Sequence, residues 1–397
     1  MSQENLSVVT ACPGQLKLEN RPVPELNPGE VLIKMNSVGI CGSDIHYWQH
    51  GKLGDFVVKK PMVLGHEGSG TVTKVGCGVT HVKQGDKVAI EPGVPRETDD
   101  FVKSGRYNLS PTIFFCATPP DDGLMCRFYV HKAKYVYKLP DCVSFEEGAM
   151  AEPLSVGIHA CRRGRVKLGC KVLILGAGPI GLCCLLIAKA MGAAQIVVCD
   201  LSCERLEKAK QMGANATLKV EKPFPCPLEF AQKLKGLLGC EGAEVTIECS
   251  GAEFCMQIGI YATRSGGTLV LVGVGAATAN LPMLNGSLRE VDVRGLFRYT
   301  NTWPVALALM GTKKVDVKPM ITNRFPIEQA AEAFETARKG TAIKVIVQCE
   351  AQCQQQQQQS CQQSCPPPPV QQCQQSCPPP QQSCQKQQCP PPPCSKC

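Results

Sequence analysis

The sequence lacks any hydrophobic run long enough to cross a membrane. A spanning helix needs about 20 apolar residues, and the longest candidate, residues 172–188, is broken by three glycines and a proline. The first five residues, Met-Ser-Gln-Glu-Asn, contain neither a basic region nor an apolar stretch, so no secretory signal is expected. The last four residues lack the aliphatic pair of a prenylation motif. We therefore expect a cytoplasmic protein without a membrane span.

A strong excess of one charge is also missing. The net charge is +8 over 397 residues and no basic run is present, which gives little reason to expect binding to nucleic acid. Cysteine, in contrast, is abundant, with 26 residues. The 17 that precede residue 351 are scattered irregularly in a chain without a signal, so we expect reduced thiols.

Residues 351–397 differ in composition from the rest of the chain. They hold nine cysteines, 11 prolines and 18 glutamines but no acid, and such a segment cannot form a core, so a disordered tail is predicted. Its Gln-Gln-Ser-Cys and Cys-Pro-Pro-Pro units resemble the small proline-rich precursors of the cornified envelope. That resemblance implies a transglutaminase substrate, with Lys386 or Lys396 as acceptors. The alternatives are an inert extension and a joined or misread gene product.

The remaining chain shows two kinds of sequence pattern. Up to about residue 155, short β-like runs such as Val31–Met35 are separated by glycine and proline, a pattern typical of an all-β region. Over residues 156–297, buried strands beginning with Lys171–Leu175 alternate with helical patterns, which predicts a doubly wound parallel sheet. The chain then returns to the first domain over residues 298–350. We predict an α/β protein in which a dinucleotide-type domain is inserted into a β-rich one.

A glycine-rich turn follows the first buried strand of the second region. Gly176, Gly178 and Gly181 form a G-x-G-x-x-G motif, which allows a tight turn, a close approach of pyrophosphate and close packing of helix on strand. The next strand ends at Asp200, 24 residues after Gly176, where an acid binds the adenosine ribose hydroxyls. A carboxylate there repels a 2′-phosphate, which favours NAD over NADP, although Arg205 lies close enough to weaken that preference.

Three residues of the β-rich region carry the donors of a zinc site. Cys41, His66 and Glu67 offer a thiolate, an imidazole and a carboxylate, the set that suits tetrahedral zinc with an open position for water or substrate. Glu152, an acid in an apolar stretch, is a candidate for binding the water of such a site. The alternative for these residues is a buried cysteine, a capping His-Glu pair and an acid at a helix N-terminus.

Together these residues resemble the zinc-containing medium-chain dehydrogenase family. Residues 65–79 carry the whole zinc signature of that family, Gly-His-Glu-x-x-Gly with Gly76 and Val79 at the expected spacing, and the likeness extends from residue 6 to 349. It is closest to the polyol dehydrogenase branch, through residues 38–48, 60–67, 105–111, 114–122, 152–160, 262–267 and 297–299. The resemblance implies a GroES-like catalytic domain at 1–155 and 298–350, a Rossmann domain at 156–297 and a homotetramer.

The resemblance also implies a role for each matching residue. Cys41, His66 and Glu67 would bind one zinc ion per chain, and no structural zinc is expected, because residues 92–109 lack the four cysteines that hold it in other relatives. Substrate contacts would come from Tyr47, Glu152, Arg298 and Tyr299. The expected NAD contacts, besides the motif glycines, are Ile180, Asp200, Arg205, Val272, Gly273, Val274, Leu296, Phe297 and Arg298.

The function implied is transfer of hydride from a secondary alcohol of a polyol, such as sorbitol or xylitol, to NAD, which gives the ketose. Ser43 and Glu152 compete as acceptors of the alcohol proton, and the sequence does not rank them. One alternative is a dehydrogenase for another secondary alcohol. An alternative of a different class is a structural protein that is cross-linked through its tail.

Overall fold

The computed structural model describes residues 4–350. The predicted disordered tail and its cross-linking residues, 351–397, lie outside the described residues and stay predictions. In the described part, no helix is both long and apolar enough to cross a membrane. Its 17 cysteines form no disulfide with one another.

The first part of the chain consists mainly of short strands. They are β1 (Asn5–Thr10), β2 (Lys17–Arg21), β3 (Glu30–Gly39), β4 (Lys52–Leu53), β5 (Phe56–Val57), β6 (Met62–Val63), β7 (Glu67–Val75), β8 (Lys87–Ile90), β9 (Gly93–Val94), β10 (Phe114–Phe115), β11 (Phe128–Lys132) and β12 (Val136–Lys138). The helices are α1 (Gly42–His50), α2 (Asp100–Lys103), α3 (Phe145–Ala149) and α4 (Ala151–Gly164), with 3-10 turns at Tyr107–Leu109 and Ala133–Tyr135.

Strands and helices then alternate. The strands are β13 (Lys171–Leu175), β14 (Gln195–Asp200), β15 (Ala216–Lys219), β16 (Ala243–Glu248), β17 (Thr263–Leu271) and β18 (Asp292–Gly295). The helices are α5 (Pro179–Ala190), α6 (Cys203–Gln211), α7 (Pro227–Leu237), α8 (Glu253–Ala262) and α9 (Met283–Ser287). The last described elements are α10 (Trp303–Gly311), α11 (Ala330–Arg338), β19 (Ile321–Pro326), β20 (Lys344–Gln348) and 3-10 turns at Lys318–Met320 and Ile327–Gln329.

Two large sheets organise these elements. The first has the order β12-β8-β7-β3-β20-β19, with β11 also paired to β3, so that the last strands of the described chain complete a sheet begun by the first ones. The second has the order β15-β14-β13-β16-β17-β18 and is parallel throughout. The α/β fold with a parallel Rossmann-type sheet is confirmed. Its strand order reverses between β13 and β16, and ligands bind at such a switch point.

The parallel sheet is buried on both faces, as its strand sequences predict. Val172, Leu173, Ile174 and Leu175 of β13 are all fully buried, and each such side chain contributes about 1.5–3 kcal/mol by burial. Helix α5 covers this strand and is apolar almost all round, with residues 181–188 buried. The rigid layer that results fixes the turn between β13 and α5 in place.

Some boundaries differ from those the sequence suggests. Helix α5 begins at Pro179, inside the glycine-rich motif, because proline fits the first helical position, where its missing N–H costs nothing. Strand β17 runs from Thr263 to Leu271, earlier than the glycines of that segment suggest. The sequence analysis did not predict α7, β15 or β18, whose short or mixed patterns are weak signals.

Candidate active site and metal centre

A cleft of about 430 Å³ lies between the end of the parallel sheet and the first helix of the chain. One end is lined by Cys41, His66 and Glu67, and the other by Gly178 and Ile180 of the glycine-rich turn. The β-rich part and the dinucleotide-type part therefore both contribute walls. The cleft joins the predicted metal ligands to the predicted cofactor turn.

The three predicted metal ligands converge in the cleft. Cys41 precedes helix α1, His66 precedes strand β7, and Glu67 begins that strand opposite Gly39 of β3. One donor atom from each lies within 4.8 Å of the others. Glu67 fits because Gly39 has no side chain, since a Cβ there would lie 2.1 Å from Oε2 of Glu67. A thiol, an imidazole and a carboxylate so placed fit a zinc ion.

Asp44 holds the loops that carry two of these ligands. Its carboxylate is fully buried and accepts hydrogen bonds from the N–H groups of Cys41 and Gly65, each at 2.9 Å. Its Oδ1 lies 3.6 Å from Nδ1 of His66. Burial lowers the pKa of His66, but the interactions with Asp44 and Cys41 outweigh burial and raise this pKa well above its usual value. An environment that stabilises a cation at His66 also attracts a metal ion.

Lys344 is a site residue that the sequence analysis missed. It lies on β20, 2% exposed, and its Nζ donates to Oε1 and Oε2 of Glu67 at 2.7 and 2.6 Å and to the carbonyl of Ile40 at 3.2 Å. The ammonium therefore orients the carboxylate and compensates its charge. In the sequence, Lys344 is visible only as a lysine at the start of an apolar strand. It lies 277 positions after Glu67, so the sequence does not indicate that the two side chains meet.

Glu152 and Tyr299 form a second buried polar group. Glu152 lies in the first turn of α4, 4% exposed, and lines the cleft. Burial, with a contribution from the Glu67 charge, raises its pKa to about 7. The Tyr299 hydroxyl is buried and interacts with the Glu152 carboxylate, and burial together with the Glu152 charge raises the pKa of Tyr299 well above its usual value.

Arg298 provides a partly buried cation in the cleft. Its guanidinium lies 3.6 Å from the centre of the Phe115 ring and 4.6 Å from that of Phe297, and Nη2 donates to the Thr118 hydroxyl at 3.0 Å. Burial lowers the pKa of Arg298 to about 10, a value at which it stays charged at neutral pH. Its remaining N–H groups are donors suited to hydroxyl oxygens.

The glycine-rich turn has the shape that a pyrophosphate requires. Gly176 has φ 103°, in the left-handed region that favours glycine, and a Cβ on Gly181 would lie 1.8 Å from the Gly176 carbonyl oxygen. At Gly178 a Cβ would meet only Nη1 of Arg205, at 3.9 Å. The turn is thus closely packed at its first and third glycines and open at the second, where a phosphate approaches the backbone.

Asp200 and Arg205 flank this open side. Asp200 accepts hydrogen bonds from the N–H groups of Ala177 (2.7 Å) and Ser202 (2.8 Å), so it braces the turn as well as ending β14. The Arg205 side chain donates from Nη2 to the Gly340 carbonyl at 2.8 Å. The residues around the turn fit a dinucleotide.

The structure brings most of the predicted site residues to one cleft. Besides those already named, its lining includes Ser43, Tyr47, Val272, Gly273, Val274, Leu296 and Phe297. Five predicted residues do not line it, namely Gly176, Gly181, Asp200, Arg205 and Tyr299. Of these, Tyr299 is 2% exposed and packs edge-on against Trp303, behind the wall of the cleft. The sequence analysis also missed His46, Phe56, Phe115 and Thr118 of the lining.

Comparisons with known proteins agree with this geometry. The family model described as alcohol dehydrogenase GroES-like domain matches residues 27–141, and that described as zinc-binding dehydrogenase matches residues 179–312. Sorbitol dehydrogenase of Mus musculus is 64% identical over 347 residues, 87% of this chain and 96% of that protein. Sorbitol dehydrogenase of Homo sapiens is 63% identical over 346 residues, with the same coverage.

Solved structures show the same fold. L-idonate 5-dehydrogenase from Escherichia coli superposes with a TM-score of 0.80 at 30% identity, covering 88% of this chain and 99% of that one. The 2R,3R-butanediol dehydrogenase from Bacillus subtilis gives a TM-score of 0.78 at 29% identity, covering 87% and 99%. The chain belongs to the zinc-binding dehydrogenase family. Within that family it groups with the sorbitol dehydrogenases, which it matches over nearly their whole length.

Proposed function

We propose that the protein is a zinc-dependent polyol dehydrogenase that transfers hydride from a secondary alcohol of sorbitol, xylitol or a similar polyol to NAD and releases the ketose. The observation that carries this proposal is the single cleft that joins Cys41, His66 and Glu67 to the glycine-rich turn. The sorbitol dehydrogenases that the chain matches at 62–64% identity support the same substrate class.

In this proposal Cys41, His66 and Glu67 hold one zinc ion, with Asp44 and Lys344 orienting His66 and Glu67. Zinc, when bound, lowers the pKa of an adjacent hydroxyl. His66 and Glu67 are buried and Cys41 is partly exposed, so water reaches the three donors only from the cleft. We propose one ion per chain and no structural zinc, since residues 92–109 lack cysteine.

The alcohol loses a proton and a hydride, and the chain offers two carriers for the proton. Glu152 has a pKa near 7, so it can both accept and release a proton at neutral pH. Ser43 lies in the first turn of α1 and lines the same cleft, so its hydroxyl is the second candidate. NAD, when bound, would supply the acceptor for the hydride and its electron pair, so that the carbinol carbon would become a carbonyl.

Substrate recognition is proposed to rest on Tyr47, Arg298 and Tyr299. The cation at Arg298 lies against aromatic rings and donates to Thr118, while the buried Tyr299 hydroxyl interacts with Glu152. Donors of this kind suit a chain of hydroxyl groups. NAD is proposed to bind along Gly176, Gly178, Ile180 and Gly181, with Asp200 and Arg205 at the adenosine and residues 272–274 and 296–298 toward the nicotinamide.

An assay tests the proposal directly. The full chain is incubated with sorbitol and NAD, and NADH formation is followed before chelation, after chelation and after zinc is restored. We expect activity that chelation abolishes and zinc restores, and that Cys41→Ser removes. The matched control is Cys77→Ser, because Cys77 is an exposed thiol away from the cleft. Zinc-independent activity, or no activity with any polyol, would contradict the proposal.

Other expectations from the sequence are carried forward as proposals. We propose the division into a catalytic domain at 1–155 and 298–350 and an NAD-binding domain at 156–297, a homotetramer, and a cytoplasmic location. The transglutaminase role of residues 351–397 is likewise proposed from sequence resemblance alone. Sedimentation measures the oligomeric state, and incorporation of a labelled amine by transglutaminase into the full chain, compared with a chain ending at residue 350, tests the tail.

A further inference from the structure

Two cysteines lie directly beneath the glycine-rich turn. Cys184 is buried in α5, the helix that begins at this turn, and Cys249 directly follows strand β16. Their Sγ atoms are 4.0 Å apart. They are 65 positions apart in the sequence, so only the packing of α5 against the switch point of the sheet brings them together.

The pair is reachable from one side only. Cys249 is partly exposed and lines the cleft together with Ser250 and Gly178, whereas Cys184 is fully buried behind it. A small molecule in the cleft can therefore meet the Cys249 thiol first. The Cys184 thiol lies next to the Cys249 sulfur, so it can react with Cys249 once that cysteine has been oxidised.

The backbone around Cys249 is part of the proposed cofactor cradle. Its N–H donates to the Leu175 carbonyl at 2.8 Å, and a Cβ on Gly176 would lie 3.2 Å from the carbonyl carbon of Cys249. Gly251, two residues after Cys249, is closely packed against Gly273, since a Cβ on Gly273 would lie 2.0 Å from the Gly251 nitrogen. Segment 249–251 thus touches both walls, the glycine-rich turn and residues 272–274.

Joining the two thiols requires movement in this packed region. A disulfide needs a sulfur–sulfur distance of about 2.05 Å, so the two Sγ atoms must approach by about 2 Å. A close-packed interior does not absorb such a shift without displacing its neighbours. Rotation of the two side chains can supply part of this approach, and the remainder must come from α5 or segment 249–251, which both border the proposed pyrophosphate position.

We propose that Cys184 and Cys249 form a redox-active pair, whose oxidation by hydrogen peroxide to a disulfide closes the cofactor cradle. The Cys249 thiolate attacks one peroxide oxygen, which gives a sulfenic acid and, after protonation, water. The Cys184 sulfur then displaces the sulfenic oxygen as a second water, forming the sulfur–sulfur bond. The two thiols lose two electrons and two protons, and the peroxide is reduced to two waters. A dithiol reductant reverses the change.

The closing of the cradle rests on the proposed NAD site, whereas formation of the disulfide does not. Two readouts therefore separate the questions. A hydrogen bond to Cys184 and burial raise the pKa of Cys249 well above its usual value, so its thiolate forms only in alkaline solution. The first readout is therefore a peptide map of the full chain after peroxide treatment in alkaline buffer. The second is NADH binding, followed by its fluorescence, before peroxide, after peroxide and after reduction.

In the tryptic map, residues 172–189 should be linked to residues 236–264 through Cys184 and Cys249. The variant Cys183→Ala serves as the matched control, because it removes the neighbouring cysteine of the same peptide and should still form the link. Fragmentation distinguishes Cys249 from Cys240 and Cys255. The variants Cys184→Ala and Cys184→Ser should form no link, and their melting temperatures show that they are folded.

For the wild type and Cys183→Ala we expect peroxide to weaken NADH binding by at least about tenfold, because the cradle is displaced, and reduction to restore it. Both Cys184 variants should keep their NADH affinity. Absence of the link overturns the proposal, whether Cys249 is oxidised otherwise or left unreacted, as does an equal loss of NADH affinity in Cys184→Ala. An untreated protein that fails to bind NADH overturns the proposed function, while the peptide map still decides the disulfide.

Discussion

Replacing Lys344 with methionine removes the ammonium group that donates hydrogen bonds to both oxygens of the Glu67 carboxylate. Lys344 and Glu67 are 2% and 1% exposed, so water cannot take over the lost contacts. Breaking a buried ion pair from one side typically costs about 3–5 kcal/mol, because a buried charge is left unpaired. A metal ion on Glu67 would compensate that charge. We therefore expect Lys344→Met to destabilise the zinc-free protein strongly and the zinc-loaded protein much less.

The measurement is a thermal melt of the full chain with and without zinc. A loss of about 3–5 kcal/mol lowers the melting temperature by about 4–7 °C in a folded part of this size. The control is Lys132→Met, because Lys132 pairs with Glu30 at 2.9 Å but is 55% exposed, and such surface pairs contribute about 0–1 kcal/mol. Equal shifts for the two variants, or a Lys344→Met shift that zinc does not reduce, would refute the reasoning.

Three further predictions concern the cofactor turn, a buried acid and the substrate pocket. Gly181→Ala should abolish NADH binding because its Cβ would overlap the Gly176 carbonyl, whereas Gly236→Ala, in open space, should leave it unchanged. Burial raises the pKa of Glu91 to about 7, above its unfolded value of about 4.5, so the folded state keeps a proton that the unfolded state has lost. The protonated carboxyl contributes up to about 3 kcal/mol to the free energy of unfolding. This contribution is present below about pH 4.5 and is lost as the pH rises through about 7. Denaturant titrations of Glu91→Gln over the same pH range should not show this loss. Arg298→Met should raise KM for sorbitol about 10-fold or more by removing charged donors, with KM for NAD less affected.

The zinc signature and the cofactor turn could be predicted because their information is local. Gly176, Gly178 and Gly181 follow one strand and open one helix, so sterics dictate their role without knowledge of the rest of the fold. Cys41, His66 and Glu67 lie within a span of 27 residues, next to the end of β3 and the start of β7, two strands that pair directly. A thiol, an imidazole and a carboxylate together also restrict the bound ion to a few kinds of metal.

Tertiary structure alone decided which distant residues complete the site. Lys344 reaches Glu67 only because β20 returns to pair with β3, and Cys184 meets Cys249 only because α5 packs above the end of β16. Tyr299 belongs to the predicted substrate set but lies behind the wall of the cleft, against Trp303. A sequence pattern reports which residue types share an element, but it does not report which elements meet. That depends on how apolar faces pack, which is a property of the whole chain.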